Sequence, residues 1–154
     1  MTNLSKAFLG QWVGGNHLFL SWQTKPEHVS DTRLAVTPAA GGKFLQFHYD
    51  WQHDGQLQQG VLLLGYDEEQ NAASAAWGDS WHQDKKLMQC AGAVDQAGVV
   101  NLLGSFAAPP DPDWGWRIIL TPQSATEMQI VMNVITPDGR EALAVRADYR
   151  RLPA

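Results

Sequence analysis

Cys90 is the single cysteine in a chain of 154 residues, so no disulfide can form within it and nothing in it requires an oxidising compartment. Positive charge is also scarce. Eleven Lys and Arg face sixteen Asp and Glu, a net charge of -5. The basic pairs Lys85-Lys86 and Arg150-Arg151 are too short to form the patch that neutralises phosphates, which argues against nucleic acid as a partner. No apolar run approaches the roughly 18 residues of a membrane-spanning helix, so no membrane association is expected. The opening MTNLSKAFLGQW holds no apolar stretch long enough for a signal peptide, and a cytoplasmic location is the expectation. No glycine-rich loop leads into a helix, so the usual phosphate cradle is missing. Repeats and low-complexity segments are missing too.

Tryptophan is plentiful, with seven residues. Indoles bring a large apolar area and an N–H that needs an acceptor, which suits a rich core or a lined cavity. With hydrophobic residues at 44% and charged residues at 18%, the chain reads as one globular domain over 1–154.

Turn signals recur at short intervals: Pro38–Gly42, Asp54-Gly55, Asp67–Asn71, Gln83–Lys86, Asp95–Gly98, Pro109–Asp113, Pro122–Ser124 and Pro137–Gly139. Asp54-Gly55 is a two-residue hairpin signal. Between the turns lie about ten strand-length segments. They are Gly10–Gln23, Thr32–Thr37, Lys43–His53, Gln56–Tyr66, Ala72–His82, Leu87–Val94, Val99–Phe106, Trp114–Thr121, Thr126–Ile135 and Arg140–Arg151. Asn3–Leu9 reads as one helical turn with Thr2 or Asn3 as its cap. The polar stretch Lys25–Asp31 reads as a crossing between the first two strands.

Alternation assigns the faces. Leu45, Phe47, Tyr49 and Trp51 share one side of their segment; Gln46, His48, Asp50 and Gln52 share the other. Met128, Ile130, Met132 and Val134 form an apolar set, as do Leu143, Val145, Ala147 and Tyr149, and Trp114, Trp116, Ile118 and Leu120. Trp77, Asp79 and Trp81 share a face. Consecutive antiparallel strands with one apolar face each are best satisfied by a closed up-and-down barrel, which also removes the sheet edges. In the first segment Trp12, Gly14, Asn16, Leu18, Leu20 and Trp22 share parity. Trp12 then points inward where the barrel closes, and Arg151 on the last strand is placed to lie across its ring as a cation–π cap.

A Gly10-x-Trp12 at the first strand and an arginine late in the last strand resemble the calycin group of lipocalins, fatty-acid-binding proteins and nitrobindin-like barrels. A wider resemblance runs through Tyr49-Asp50-Trp51, Gly60–Asp67, Ala76–His82, Gly104-Ser105, Pro112–Ile118 and Ile135–Gly139. These stretches are similar to a bacterial family of small proteins of unknown function with a lipocalin-like barrel. The resemblance implies an all-β fold, a single antiparallel up-and-down β-barrel of calycin type, and no particular activity. Nitrobindin-like barrels hold haem through a histidine near the C-terminus. Here the histidines are His17, His28, His48, His53 and His82, so that ligand is missing and no cofactor is expected.

The segment Trp77-Gly78-Asp79-Ser80-Trp81-His82 holds an acid, a hydroxyl, an imidazole and two indoles. A serine nucleophile needs a strand-to-helix turn, and no helical pattern follows Ser80. On a strand, Ser80 and His82 would share one face and Asp79 the other. A buried Asp79 between tryptophans needs hydrogen-bond partners, of which an indole N–H, an arginine or a ligand group are the candidates. Trp114 and Trp116 follow a stiff proline loop placed where a lid would sit. Arg117 faces outward if these tryptophans face in; facing in, it would be the anchor for a ligand carboxylate. Metal binding is not expected, because His48 and His53 fall on opposite faces and two ligands do not make a zinc site. Cys90 reads as a small core residue.

The favoured function is binding a small apolar or aromatic molecule inside the barrel. Tyr49, Trp51, Trp77, Trp81, Trp116 and Met132 would line the site and Asp79 would orient the ligand. One alternative is an enzyme that uses the same cavity with Asp79 or His82 as general base. Another is a solid barrel that acts through its surface. Leu57, Val61 and Leu63 leave the fourth segment apolar on both faces, so a helix or a second copy of the chain, as a homodimer, is expected to cover it.

Overall fold

The computed structural model describes residues 2–154. One short helix, α1 (Asn3–Phe8), precedes ten strands: β1 (Gly10–Phe19), β2 (Glu27–Ala39), β3 (Phe44–His53), β4 (Gln56–Asp67), β5 (Ala72–Asp79), β6 (Met88–Val94), β7 (Val100–Ala108), β8 (Asp111–Pro122), β9 (Glu127–Ile135) and β10 (Glu141–Arg151). Each strand pairs antiparallel with its sequence neighbours, and β1 pairs with β10 to close the barrel. The closing register sets Trp12 opposite Arg151 and Asn16 opposite Ala147. Gly14 lies in this seam, where a Cβ would sit 1.7 Å from the Asp148 carbonyl oxygen. The glycine after Trp12 therefore serves close strand approach.

The expected alternation holds over most of the wall. Leu45, Phe47, Trp51, Met128, Ile130, Met132, Trp116, Ile118 and Leu120 are buried in one interior core. No helix among the described residues is long and apolar enough to cross a membrane.

Several sequence expectations need correction. The first strand stops at Phe19 rather than Gln23; a turn follows, with Gln23 N–H donating to the Leu20 carbonyl, and Trp22 is exposed. The stretch 25–31 is mostly strand and not a crossing, because β2 begins at Glu27. Its inward positions His28, Ser30 and Thr32 are polar, which hid the alternation. Strand β5 ends at Asp79, so Ser80, Trp81 and His82 belong to a turn. Most of the proline loop is absorbed into β8, leaving Pro109 and Pro110 as the connection. In β10 the pairing register shifts between Leu143 and Val145. The extra residue turns Leu143 outward, while Val145, Ala147 and Tyr149 stay inside. Finally, α1 does not cover the apolar face of β4. It lies at the barrel end, and Leu57, Val61 and Leu63 remain exposed.

Candidate functional site

The barrel end formed by the start of β1 and the end of β10 is sealed. Thr2 caps α1 by accepting from the Ser5 N–H at 3.1 Å. Phe8 projects inward and meets Phe47 edge-on, with centroids 5.6 Å apart. The Trp12 indole donates to the Phe8 carbonyl at 2.9 Å. The Arg151 guanidinium stacks 4.1 Å from the Trp12 ring centre. It also donates to the carbonyls of Leu9, Ala7 and Ala125, so one side chain satisfies carbonyls freed at the end of the helix.

The other half of the interior holds a polar network built across three strands. Tyr49 of β3, Gly60 of β4 and Asp79 of β5 stand in register. A Cβ on Gly60 would lie 2.0 Å from the Tyr49 ring. Glycine at that point lets the phenol cross β4, and the Tyr49 hydroxyl donates to Asp79 Oδ2 at 2.7 Å. The Trp51 indole donates to the same oxygen at 3.2 Å, and the Trp77 indole donates to the Tyr49 oxygen at 3.0 Å. Asp79 Oδ1 accepts from the backbone N–H groups of Trp81 and His82, at 2.8 and 3.3 Å.

Four donors thus converge on one buried carboxylate. This is about as many as its lone pairs can serve, and it compensates a burial that would otherwise be costly. Asp79 accordingly folds the turn after β5, and no lone pair is left over for proton abstraction. Burial, reinforced by the Asp79 charge, pushes the Tyr49 phenol well above its ordinary range. Tyr49 is therefore a fixed donor.

The turn changes the place of His82. Sequence parity put it on the face opposite Asp79; in the structure it folds back over the interior among the indoles. Its ring stacks on Trp51 at 5.7 Å and 29°. It contacts Trp77 at 5.8 Å and Trp116 at 5.4 Å, with Trp81 edge-on at 4.8 Å. Trp77 and Trp116 are themselves stacked, 5.4 Å apart at 12°. Burial lowers the His82 pKa, the Asp79 charge opposing in part, so the ring is held neutral.

Beneath this layer lies a cavity of about 20 Å³, on the scale of one water molecule. Tyr49, Trp51, Asp79, His82 and Met132 line it, together with Asn16. Trp77 and Trp116 stand behind His82, and Trp81 packs against Trp51 at 5.8 Å. The indole nitrogens of Trp114 and Trp116 are buried without an acceptor.

The remaining candidates lie elsewhere. The Ser80 hydroxyl donates to Gln58 Oε1 and accepts from the Gln59 N–H; it is an exposed clasp on β4. Arg117 points outward to Glu141 and Asn101. Cys90 is buried, and burial pushes its thiol up to about 11, which leaves it unreactive. Sequence reasoning missed Gly60 and the inward turn of His82. A glycine in an apolar strand is a visible signal for close approach, but what approaches it is not.

The model of a family described as "Protein of unknown function (DUF1579)" matches residues 3–151. No curated protein matches the chain. Among solved structures it is similar to Rv2717c from M. tuberculosis, with a TM-score of 0.69 and 12% identity over 99% of each chain. At that identity the likeness concerns the fold. A protein of unknown function with a hot dog fold from Alicyclobacillus acidocaldarius also matches, over 96% of this chain and 81% of that one. Its identity is 12% and its TM-score 0.23, too low to carry an argument.

Proposed function

The chain belongs to the DUF1579 family, whose function is unknown, and from the site itself we propose that it binds a small flat aromatic molecule inside the barrel. The observation that carries this reading is the position of His82. A planar heteroaromatic ring, delivered by a turn and not by the wall, already sits between Trp51 and the stacked Trp77–Trp116 pair. A cage that accepts an imidazole offers the same π faces to a ligand ring. Rotating the His82 side chain outward, with the turn still held by Asp79, frees the volume of that ring and joins it to the small cavity below. A ligand acceptor would then answer the unpaired Trp116 N–H. In this proposal Tyr49, Trp51, Trp77, Trp81, Trp116 and Met132 form the lining. Asp79 acts by holding the turn. A calycin-type kinship belongs to the same proposal.

The 20 Å³ cavity favours a second reading, a filled barrel that works through its surface. Native mass spectrometry of freshly purified protein and tryptophan-fluorescence titration with simple aromatic acids separate the two. The binding reading expects saturable quenching, strengthened several-fold by His82→Gly, which removes the resident ring. Absence of saturable binding in both the natural chain and His82→Gly leaves the filled barrel standing.

A further inference from the structure

His28, at the start of β2, and His53, at the end of β3, both face inward at the rim of the barrel end opposite α1, and their rings meet edge-on with centroids 5.1 Å apart. Asp54 follows His53 as the first residue of the hairpin turn, with φ 49°, a conformation that aspartate tolerates. We infer that His28, His53 and Asp54 form a binding site for a divalent transition-metal ion of the zinc type.

One ligand atom from each of the three lies within 4.8 Å of the others. Bonds of about 2.0–2.1 Å to a tetrahedral ion place ligand atoms roughly 3.3 Å apart. Side-chain rotation closes the difference, since Asp54 is exposed and reaches His53 Nε2 at 3.4 Å already.

One further observation points to a cation. His28 Nε2 meets the Gln23 side-chain carbonyl at 2.8 Å. That contact takes the Nε2 proton and leaves Nδ1 with its lone pair free, the arrangement that orients metal-binding histidines. Two imidazoles and one carboxylate match the ligand preferences of zinc and leave one position open. Lys25 lines the same surface pocket and opposes a cation there, but it is exposed on a turn and can turn toward solvent. Parity along β3 kept His53 apart from His48, which lies on the outer face; the partner that matters comes from β2, 25 positions before His53.

The site does not depend on the aromatic cage holding a ligand. Calorimetric titration of chelator-treated full-length protein with Zn²⁺ at neutral pH tests it. One saturable site is expected. His28→Gln, His53→Ala and Asp54→Asn should each weaken it at least tenfold, and His17→Ala and His48→Ala should leave it unchanged. Circular dichroism verifies folding, and Asp54→Asn keeps a residue suited to the turn. The inference is overturned if the natural chain shows no saturable binding. It is also overturned if folded Asp54→Asn and His28→Gln bind as the natural chain does, or if His48→Ala weakens binding equally.

Discussion

The Arg151 guanidinium lies 4.1 Å from the centre of the Trp12 indole, and these two residues are also register partners across the strand pair that closes the barrel. One contact therefore ties together the first strand, the last strand and, through the carbonyls of Ala7 and Leu9, the helix that seals the end.

Arg151→Ala should lower unfolding stability by about 2 kcal/mol, the sum of a desolvated cation–π contact and charge-assisted hydrogen bonds. Arg151→Lys should recover less than half of the loss, because an ammonium lacks the planar fork that stacks and donates at once. Urea denaturation followed by circular dichroism measures both. Full recovery by lysine would show that charge alone matters.

Gly60→Ala places a methyl where the Tyr49 ring crosses β4. Overpacking of this kind costs about 1–3 kcal/mol, and displacement of the ring should break the Tyr49–Asp79 hydrogen bond. Pairing Gly60→Ala with Tyr49→Phe in a double-mutant cycle should show strong coupling. Additive losses would mean that the methyl is accommodated without moving the phenol.

Asp79→Asn keeps the shape but replaces one acceptor oxygen by an amide that faces donors. A loss of about 2–3 kcal/mol is expected for buried donors left unpaired. The turn carrying Trp81 and His82 should also loosen. Hydrogen exchange at the Trp81 and His82 amides reads this directly, and unchanged protection would remove Asp79 from its assigned role.

His82 has a folded pKa lowered by burial. Its contribution to stability is complete above the unfolded histidine value near 6.5 and is lost as pH falls below it toward the lower folded value. Acidification from pH 7 to 5 protonates the unfolded chain first and so favours unfolding. His82→Gln should flatten this part of the stability profile. An identical pH dependence in the two proteins would assign it to other groups.

The sequence by itself determined the barrel. Ten strand-length segments joined by short turns, most of them alternating apolar and polar, leave antiparallel closure as the economical way to bury one face of every strand, and parity placed Trp12, Arg151, Tyr49, Trp51 and Asp79 on the inside. Parity works only while a chain stays extended. It failed at Leu143, where a bulge slips the register, and at His82, where β5 has ended and a turn returns the ring to the interior. It could not see His28 beside His53, because that proximity belongs to strand pairing and not to spacing along the chain. Tertiary structure alone decided that Gly60 makes room for Tyr49, that four donors converge on Asp79, and that His82 packs among Trp51, Trp77 and Trp116. Each of these depends on the shape of side chains meeting across strands, and the order of residues along one strand does not encode that shape.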